Sequence, residues 1–301
     1  MSVDMSLRIA GVKWKNPVTV ASGTFGSGME FADFVDLNTL GAVTTKGVAS
    51  KPWAGNDTIR VAETASGMLN AIGLQNPGID TFLERDLVFL EKYDTVKIVN
   101  IVGKSIEEYV DVAKQLNDTS VDMLEVNISC PNVKEGGIAF GQDPSAAAEV
   151  TKAVKEVTDK PVIMKLSPNV TSIAVMAKAV EEAGADAISL INTLTGMKID
   201  INRRDFVLAN KTGGLSGPAI KPVAVRMVYE ASHAVEIPVI GMGGIASGAD
   251  AIEFLLAGAS AVSVGTANFK NPCVTAEIIK DINDYLERNG FESVRDIIGI
   301  V

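Results

Sequence analysis

The feature that most constrains this chain is a repeated alternation between short, almost wholly apolar runs and longer amphipathic ones. The short runs are Val18 to Ser22, Ala42 to Lys46, Val96 to Ile101, Met123 to Asn127, Val162 to Leu166, Ala187 to Ile191, Val239 to Met242 and Ala261 to Gly265. Near-continuous Ala, Val, Ile and Leu marks strands covered on both faces, as in parallel sheets. Between them, Ser105 to Leu116, Pro144 to Val157, Thr171 to Ala183, Pro218 to Ala234 and Ser247 to Ala257 carry apolar residues at helical spacing. Asp143-Pro144 and Ser247 supply helix-start chemistry. Eight such units fit a (β/α)8 TIM barrel, which needs about 250 residues. A doubly wound open sheet has the same local pattern, and pattern alone leaves both open.

The chain has 301 residues, so a barrel leaves a surplus. That surplus collects after strand 2, from Gly47 to Thr81, and after strand 6, from Asn192 to Gly217. Both follow C-terminal strand ends, where barrel enzymes place their sites. Ala10-Gly11 lies between Leu7, Ile9 and Val12, Trp14, an alternation that predicts an N-terminal β-hairpin closing the barrel bottom. No Pro/Ser-rich or charged run separates two halves, so residues 1–301 are expected to form one domain.

Composition narrows the function. A net charge of −10 and 5% aromatic residues give neither the basic footprint nor the stacking surface that nucleic acid requires. No apolar run approaches a membrane span, and the first residues lack a secretory pattern. A cytoplasmic location is expected, with Cys130 and Cys273 unbridged. His233, the lone histidine, is expected at a surface or helix end, which speaks against a Ser-His-Asp triad. No Cys/His cluster has metal-ligand spacing.

The strand ends carry the chemistry. Thr45 and Lys46, Asn100, Asn127, Lys165, and Asn192-Thr193 fall at or near the ends of consecutive strands. Buried Lys and Asn are costly unless paired. Two lysines at one mouth repel unless an anion lies between them, so an anionic ligand is expected. Glycine-rich ends follow the last two strands, Gly241-Met242-Gly243-Gly244 and Gly265-Thr266. In barrels these loops often hold phosphate. Thr212 to Pro218 is a further glycine-rich helix entry. Cys130 follows the fourth strand and precedes Pro131, above the mouth, and residues 133–141 have the composition of a lid. Its thiol could serve as base or nucleophile. Cys273 is expected to be structural.

Taken with Asn127 to Asn132, Asn70 to Gly78, Gly243-Gly244 and Gly265-Thr266, the chain resembles the soluble class 1 dihydroorotate dehydrogenases over nearly its whole length. Asn-Ala-Ile-Gly-Leu-Gln-Asn and Cys-Pro-Asn-Val-Lys-Glu-Gly-Gly lie closer to the 1B pattern than to the fumarate-using 1A pattern. Cys130 and the short N-terminus point away from the membrane-associated class 2 enzymes, which use serine.

The resemblance implies FMN at the barrel mouth and oxidation of dihydroorotate to orotate in de novo pyrimidine biosynthesis. It also implies a partner subunit carrying FAD and a two-iron iron–sulfur cluster, which passes electrons to NAD. The assembly implied is a heterotetramer built on a dimer of this chain. By the same resemblance Cys130 is the general base. Lys46, Asn70, Ala71, Ile72, Gly73, Leu74, Asn127, Asn192 and Thr193 bind substrate. Ser22, Thr45, Lys46, Gly47, Asn100, Asn127, Lys165 and Ile191 hold the flavin and its ribityl chain, with Lys165 stabilising the reduced form. Gly217, Gly243, Gly244, Gly265 and Thr266 surround its phosphate. Alternatives at this point are a fumarate-linked enzyme, a dihydropyrimidine dehydrogenase-like domain, a flavin-binding module without its own chemistry, and a Schiff-base aldolase using Lys165.

Overall fold

In a computed structural model, which describes residues 3–128 and 140–301, the chain starts with the expected hairpin. Strand β1 (Leu7–Ile9) pairs antiparallel with β2 (Val12–Trp14). The two turn residues, Ala10 and Gly11, have φ of 47° and 82°, the left-handed backbone that a two-residue hairpin turn demands. Leu7, Ile9 and Trp14 are buried against Ile98, Met123, Ile163 and Ile240, so the hairpin plugs one end of the barrel.

In chain order follow β3 (Val18–Val20), β4 (Ala42–Thr44), β5 (Val61–Thr64), β6 (Gly67–Asn70), β7 (Val96–Ile101) and β8 (Met123–Asn127). Then come β9 (Val162–Lys165), β10 (Ala187–Leu190), β11 (Leu194–Met197), β12 (Ile199–Asp200), β13 (Asp205–Phe206), β14 (Thr212–Ser216), β15 (Val239–Met242) and β16 (Ala261–Val264). The parallel sheet runs β3-β16-β15-β10-β9-β8-β7-β4. Each strand lies beside its neighbour in sequence, with no switch of direction in the order, as a barrel requires and a doubly wound sheet does not. The Gly41 N–H donates to Val18 O at 3.0 Å and the Thr19 and Thr44 hydroxyls meet at 3.2 Å, which brings the two end strands together.

Three of the eight strands have the expected bounds; the other five stop one or two residues earlier. Ser22, Thr45, Lys46, Leu166, Ile191 and Gly265 therefore stand just past strand ends. Thr45, Leu166 and Ile191 still donate to the neighbouring strands, to Ile98 O, Ser189 O and Met242 O, so the extended chain runs on a little past each strand end.

A helical stretch over 79–90, of which only 79–81 fall in the expected insertion and which was not expected as a helix, contains α1 (Ile79–Thr81), a π-helical turn (Phe82–Leu87) and α2 (Val88–Leu90). The expected helices form as α3 (Ile106–Leu116), α4 (Pro144–Lys155), α5 (Ile173–Glu182), α6 (Lys221–Ser232) and α7 (Gly248–Leu256), with α8 (Val274–Asn289) last. The segment expected as one helix from Pro218 splits into a 3-10 turn (Pro218–Ile220) and α6. Asp143 accepts from the Ala146 N–H at 2.9 Å and Ser247 from the Asp250 N–H at 3.3 Å, so both expected caps form. Their apolar stripes, such as Val112 and Leu116 of α3, join one cluster with the outward faces of the barrel strands.

The two insertions meet. β5 and β6 come from the first and β11 and β14 from the second, and together they form a four-stranded antiparallel sheet in the order β11-β14-β6-β5. Gly214 is registered with Asn70, so residues far apart in sequence share one sheet over the mouth. No described helix is long and apolar enough to cross a membrane.

Candidate active site

The barrel interior is layered by strand alternation. On β8, Met123 points into the plug, Leu124 and Val126 point out to the helices, and Glu125 and Asn127 point inward. The layer above the plug is polar: Thr19, Thr44, Asn100, Glu125, Lys165 and Ser189 are all buried. One Glu125 oxygen accepts from Asn100 Nδ2 at 2.5 Å and lies 3.4 Å from Lys165 Nζ. Its other oxygen accepts from Ser189 Oγ at 3.0 Å. Lys165 Nζ also donates to Ser22 Oγ at 3.2 Å.

This corrects one expectation. The two lysines were expected to need an outside anion between them, yet Lys165 has a partner within the protein, Glu125, and both side chains are 4% exposed. Sequence reasoning passed over Glu125 as a single interruption of an apolar strand. The signal was available: an acidic residue midway along a strand buried on both faces requires a cation beside it.

Lys46 stands just past β4 and has no ion-pair partner among the described residues. Burial holds its ammonium below the usual lysine range, and the charge of Lys165 lowers it further. Among the described residues, one positive charge at the barrel mouth is therefore left without a counter-charge.

Above this layer opens a cavity of about 1070 Å³. Its floor includes Ser22, Lys46, Gly47, Asn100, Asn127 and Lys165. Asn70, Ala71, Ile72, Gly73 and Leu74 line one wall, and Ile191, Asn192 and Thr193 another. Gly217, Gly243, Gly244, Gly265 and Thr266 line the remaining end. Residues nominated from scattered positions thus share one cavity.

Thr45 does not line it. The Thr45 side chain is fully buried, donates to Lys46 O at 3.1 Å and accepts from the Asn100 N–H at 3.3 Å. It supports two lining residues from behind, because a residue next to Lys46 in extended chain faces the opposite way. Cys130 and residues 133–139 lie outside the described residues. Cys273 precedes α8, its thiol donates to Phe34 O at 3.3 Å, and it does not line the cavity. His233 is exposed at the end of α6.

Two residues unnoticed in the sequence position the walls. Asn169 donates to Thr193 O at 3.0 Å and accepts from the Thr195 N–H at 3.0 Å, holding the loop after β10. Ser216 accepts from Thr266 Oγ1 at 2.7 Å, tying the sheet over the mouth to the loop after β16.

The glycine-rich end fits an anion. Gly217 and Gly244 have φ of 97° and 82°, which L side chains rarely adopt. A Cβ on Gly244 would lie 2.8 Å from Lys221 Cβ and one on Gly217 2.6 Å from Gly67 Cα. Among the described residues, the N–H groups of Gly243, Gly244, Gly265 and Thr266 donate no hydrogen bond. Free N–H groups in glycine-rich loops that line the cavity beside the entry to α6 are the kind of feature that can accept an anion. No group of three metal-ligating side chains occurs among the described residues.

Residues 4–286 match the family model described as dihydroorotate dehydrogenase. The chain is 62% identical over 299 residues to a protein of Lachnoclostridium phytofermentans, covering 99% of this chain and 100% of that relative. It is 59% identical over 297 residues to one of Alkaliphilus metalliredigens, covering 99% and 98%. It is 58% identical over 297 residues to one of Geobacter metallireducens, covering 98% and 97%. Each of these relatives is named dihydroorotate dehydrogenase B (NAD(+)), catalytic subunit. With a family model spanning nearly all of its length and relatives this similar end to end, the chain belongs to the dihydroorotate dehydrogenase family of oxidoreductases.

Proposed function

We propose that this chain oxidises (S)-dihydroorotate to orotate with FMN bound in the barrel mouth, and delivers the electrons to a partner subunit that reduces NAD. The observation that carries this reading is the single cavity. It joins a phosphate-type cradle at one end to lysines and amide side chains at the other, as a phosphate-bearing flavin beside a small carboxylate substrate requires. The relatives' names add the NAD linkage and the word subunit.

The residues fit FMN. Gly217, Gly243, Gly244, Gly265 and Thr266 would hold the phosphate; Ser22, Gly47, Asn100, Lys165 and Ile191 would contact the ribityl chain and ring. Thr45 would act through Lys46 and Asn100. Bound there, FMN supplies a two-electron acceptor for the hydride leaving C6 of the substrate. Lys46 meets the substrate carboxylate, or the flavin and substrate together, with its unpaired charge. Asn70, Asn127, Asn192 and Thr193 can donate to and accept from the ring amides, and the backbone of Ala71 to Leu74 extends the same wall. Asn70 is held by its bond to Gly214 O at 3.4 Å and Asn127 by its bond to Asn100 Oδ1 at 3.4 Å.

Cys130 takes the C5 proton in this reading, a role supported by its place three residues after Asn127. A partner carrying FAD and a two-iron cluster would relay the electrons, with two copies of each chain in the assembly and a cytoplasmic setting. A Schiff-base lysine must be uncharged to attack, whereas Lys165 sits in an ion pair with Glu125, which weighs against the aldolase alternative.

The test is anaerobic mixing of the FMN-loaded chain with dihydroorotate, followed by NAD with and without the copurified partner. Bleaching of the flavin band and NADH formation only with partner are expected. A flavin that stays oxidised removes the substrate assignment, and re-oxidation by fumarate in place of NAD moves the chain to the fumarate-linked type.

A further inference from the structure

We propose that Glu125 is a positioning residue that holds Lys165 as a fixed donor at the floor of the cavity. The proposal rests on the FMN reading for what Lys165 meets, but its geometry belongs to this chain alone.

Three observations carry it. First, both Glu125 oxygens are engaged, one by Asn100 and Lys165 and the other by Ser189, so the carboxylate is clamped from the two flanking strands, β7 and β9, and from β10 beyond. Second, the registry brings the partners to one level of the barrel: Glu125 lies opposite Ile163 on β9, two residues before Lys165. Asn100 lies opposite Glu125 on β7, and Lys165 lies opposite both Asn127 on β8 and Ser189 on β10. Third, Lys165 carries three N–H donors. Glu125 and Ser22 accept two of them, and the third has no acceptor among the described residues although Lys165 lines the cavity. A ligand at the floor is its natural acceptor.

Nearly complete burial makes the pair more than ornament. An ammonium buried here without a counter-charge would be driven toward its neutral form. The charged groups facing Lys165 among the described residues are Glu125 from β8 and Lys46 from beyond β4, one attractive and one repulsive. Ser22, Ser189, Asn100 and Asn127 complete its surroundings without charge. Removing the Glu125 charge leaves only the repulsion.

The test compares wild type with Glu125→Gln, nearly the same size but uncharged. Three readouts apply: the titration of Lys165 by NMR of 13C-methylated lysines, the FMN dissociation constant of apoprotein, and the pH profile of flavin reduction by dihydroorotate. In the variant, Lys165 is expected to lose its proton at lower pH, FMN to bind about tenfold or more weakly, and the alkaline fall of the profile to begin earlier. An unchanged titration and unchanged FMN affinity would overturn the proposal. Should Glu125→Gln not fold, the apolar pair Glu125→Leu/Lys165→Met decides. Losses equal to those of Lys165→Met alone support action through Lys165, and clearly larger losses overturn it. The first two readouts need no substrate. A wild-type protein that ignores dihydroorotate therefore condemns the proposed reaction and leaves the Glu125 result standing.

Discussion

Cys130 and Lys46 carry the sharpest expectations at the scale of single residues. A thiol near its ordinary range ionises far more readily than a hydroxyl. Cys130→Ala is expected to retain FMN and to slow flavin reduction by about 10²–10⁴-fold, the usual contribution of a general base. Cys130→Ser should recover activity only at higher pH. Stopped-flow absorbance at the flavin band distinguishes these outcomes, and undiminished reduction in the alanine variant removes the role. Lys46 titrates below the usual lysine range because it is partly buried and faces Lys165. Its charge is present at low pH and lost as pH rises through that depressed value, so carboxylate binding weakens there. KM for dihydroorotate should climb in that alkaline window, and Lys46→Gln should raise KM and flatten the climb. The linked effect on stability has the opposite sense. In that window the unfolded chain binds more protons than the folded one, so ligand-free stability rises with pH. Lys46 and Lys165 were legible in the sequence because lysine at the end of an apolar strand is anomalous. Glu125 was equally anomalous, and its meaning became clear only when Lys165 was seen 3.4 Å away.

Among the elements, the loops after β14, β15 and β16 line the end of the cavity proposed to hold the phosphate. Gly244 combines positive φ with close contact to Lys221 on α6. Gly244→Ala is therefore expected to weaken FMN retention by more than tenfold, through strain and displacement of the neighbouring N–H groups. Fluorescence titration of apoprotein with FMN measures this, and wild-type affinity would exclude the loop. Helix starts at Asp143 and Ser247 could be read from sequence because capping is a local, one-turn interaction. The sheet β11-β14-β6-β5 could not, because its strands are only four or five residues long and its central pairing, β14 with β6, joins segments about half the chain apart. Strand ends were overextended because the apolar alphabet is the same in the ladder and in the cavity wall just beyond it.

For the whole molecule, the hairpin plug and the polar layer divide the barrel interior into a part that stabilises and a part that works. Trp14 is completely buried in the plug with Ile98, Met123 and Ile163. Trp14→Ala should cost about 3–5 kcal/mol by cavity formation, while the cavity on the far side of the polar layer keeps its residues. Denaturant unfolding monitored by circular dichroism, with FMN affinity in parallel, checks both halves. A loss below about 1 kcal/mol would show that the hairpin is not part of the core. The net charge of −10 is likewise divided, a property of the surface that coexists with a lysine inside the mouth that has no ion-pair partner among the described residues.

The sequence by itself determined the barrel strands, most of the helices, the hairpin and the glycine-rich loops, because each is written in local periodicity and turn chemistry. Tertiary structure decided that the sheet is a barrel, that two insertions form one sheet, that Thr45 stands behind the site, and that Glu125 is the counter-charge of Lys165. Those outcomes depend on strand order and cross-strand registry, which bring together side chains that no local pattern connects.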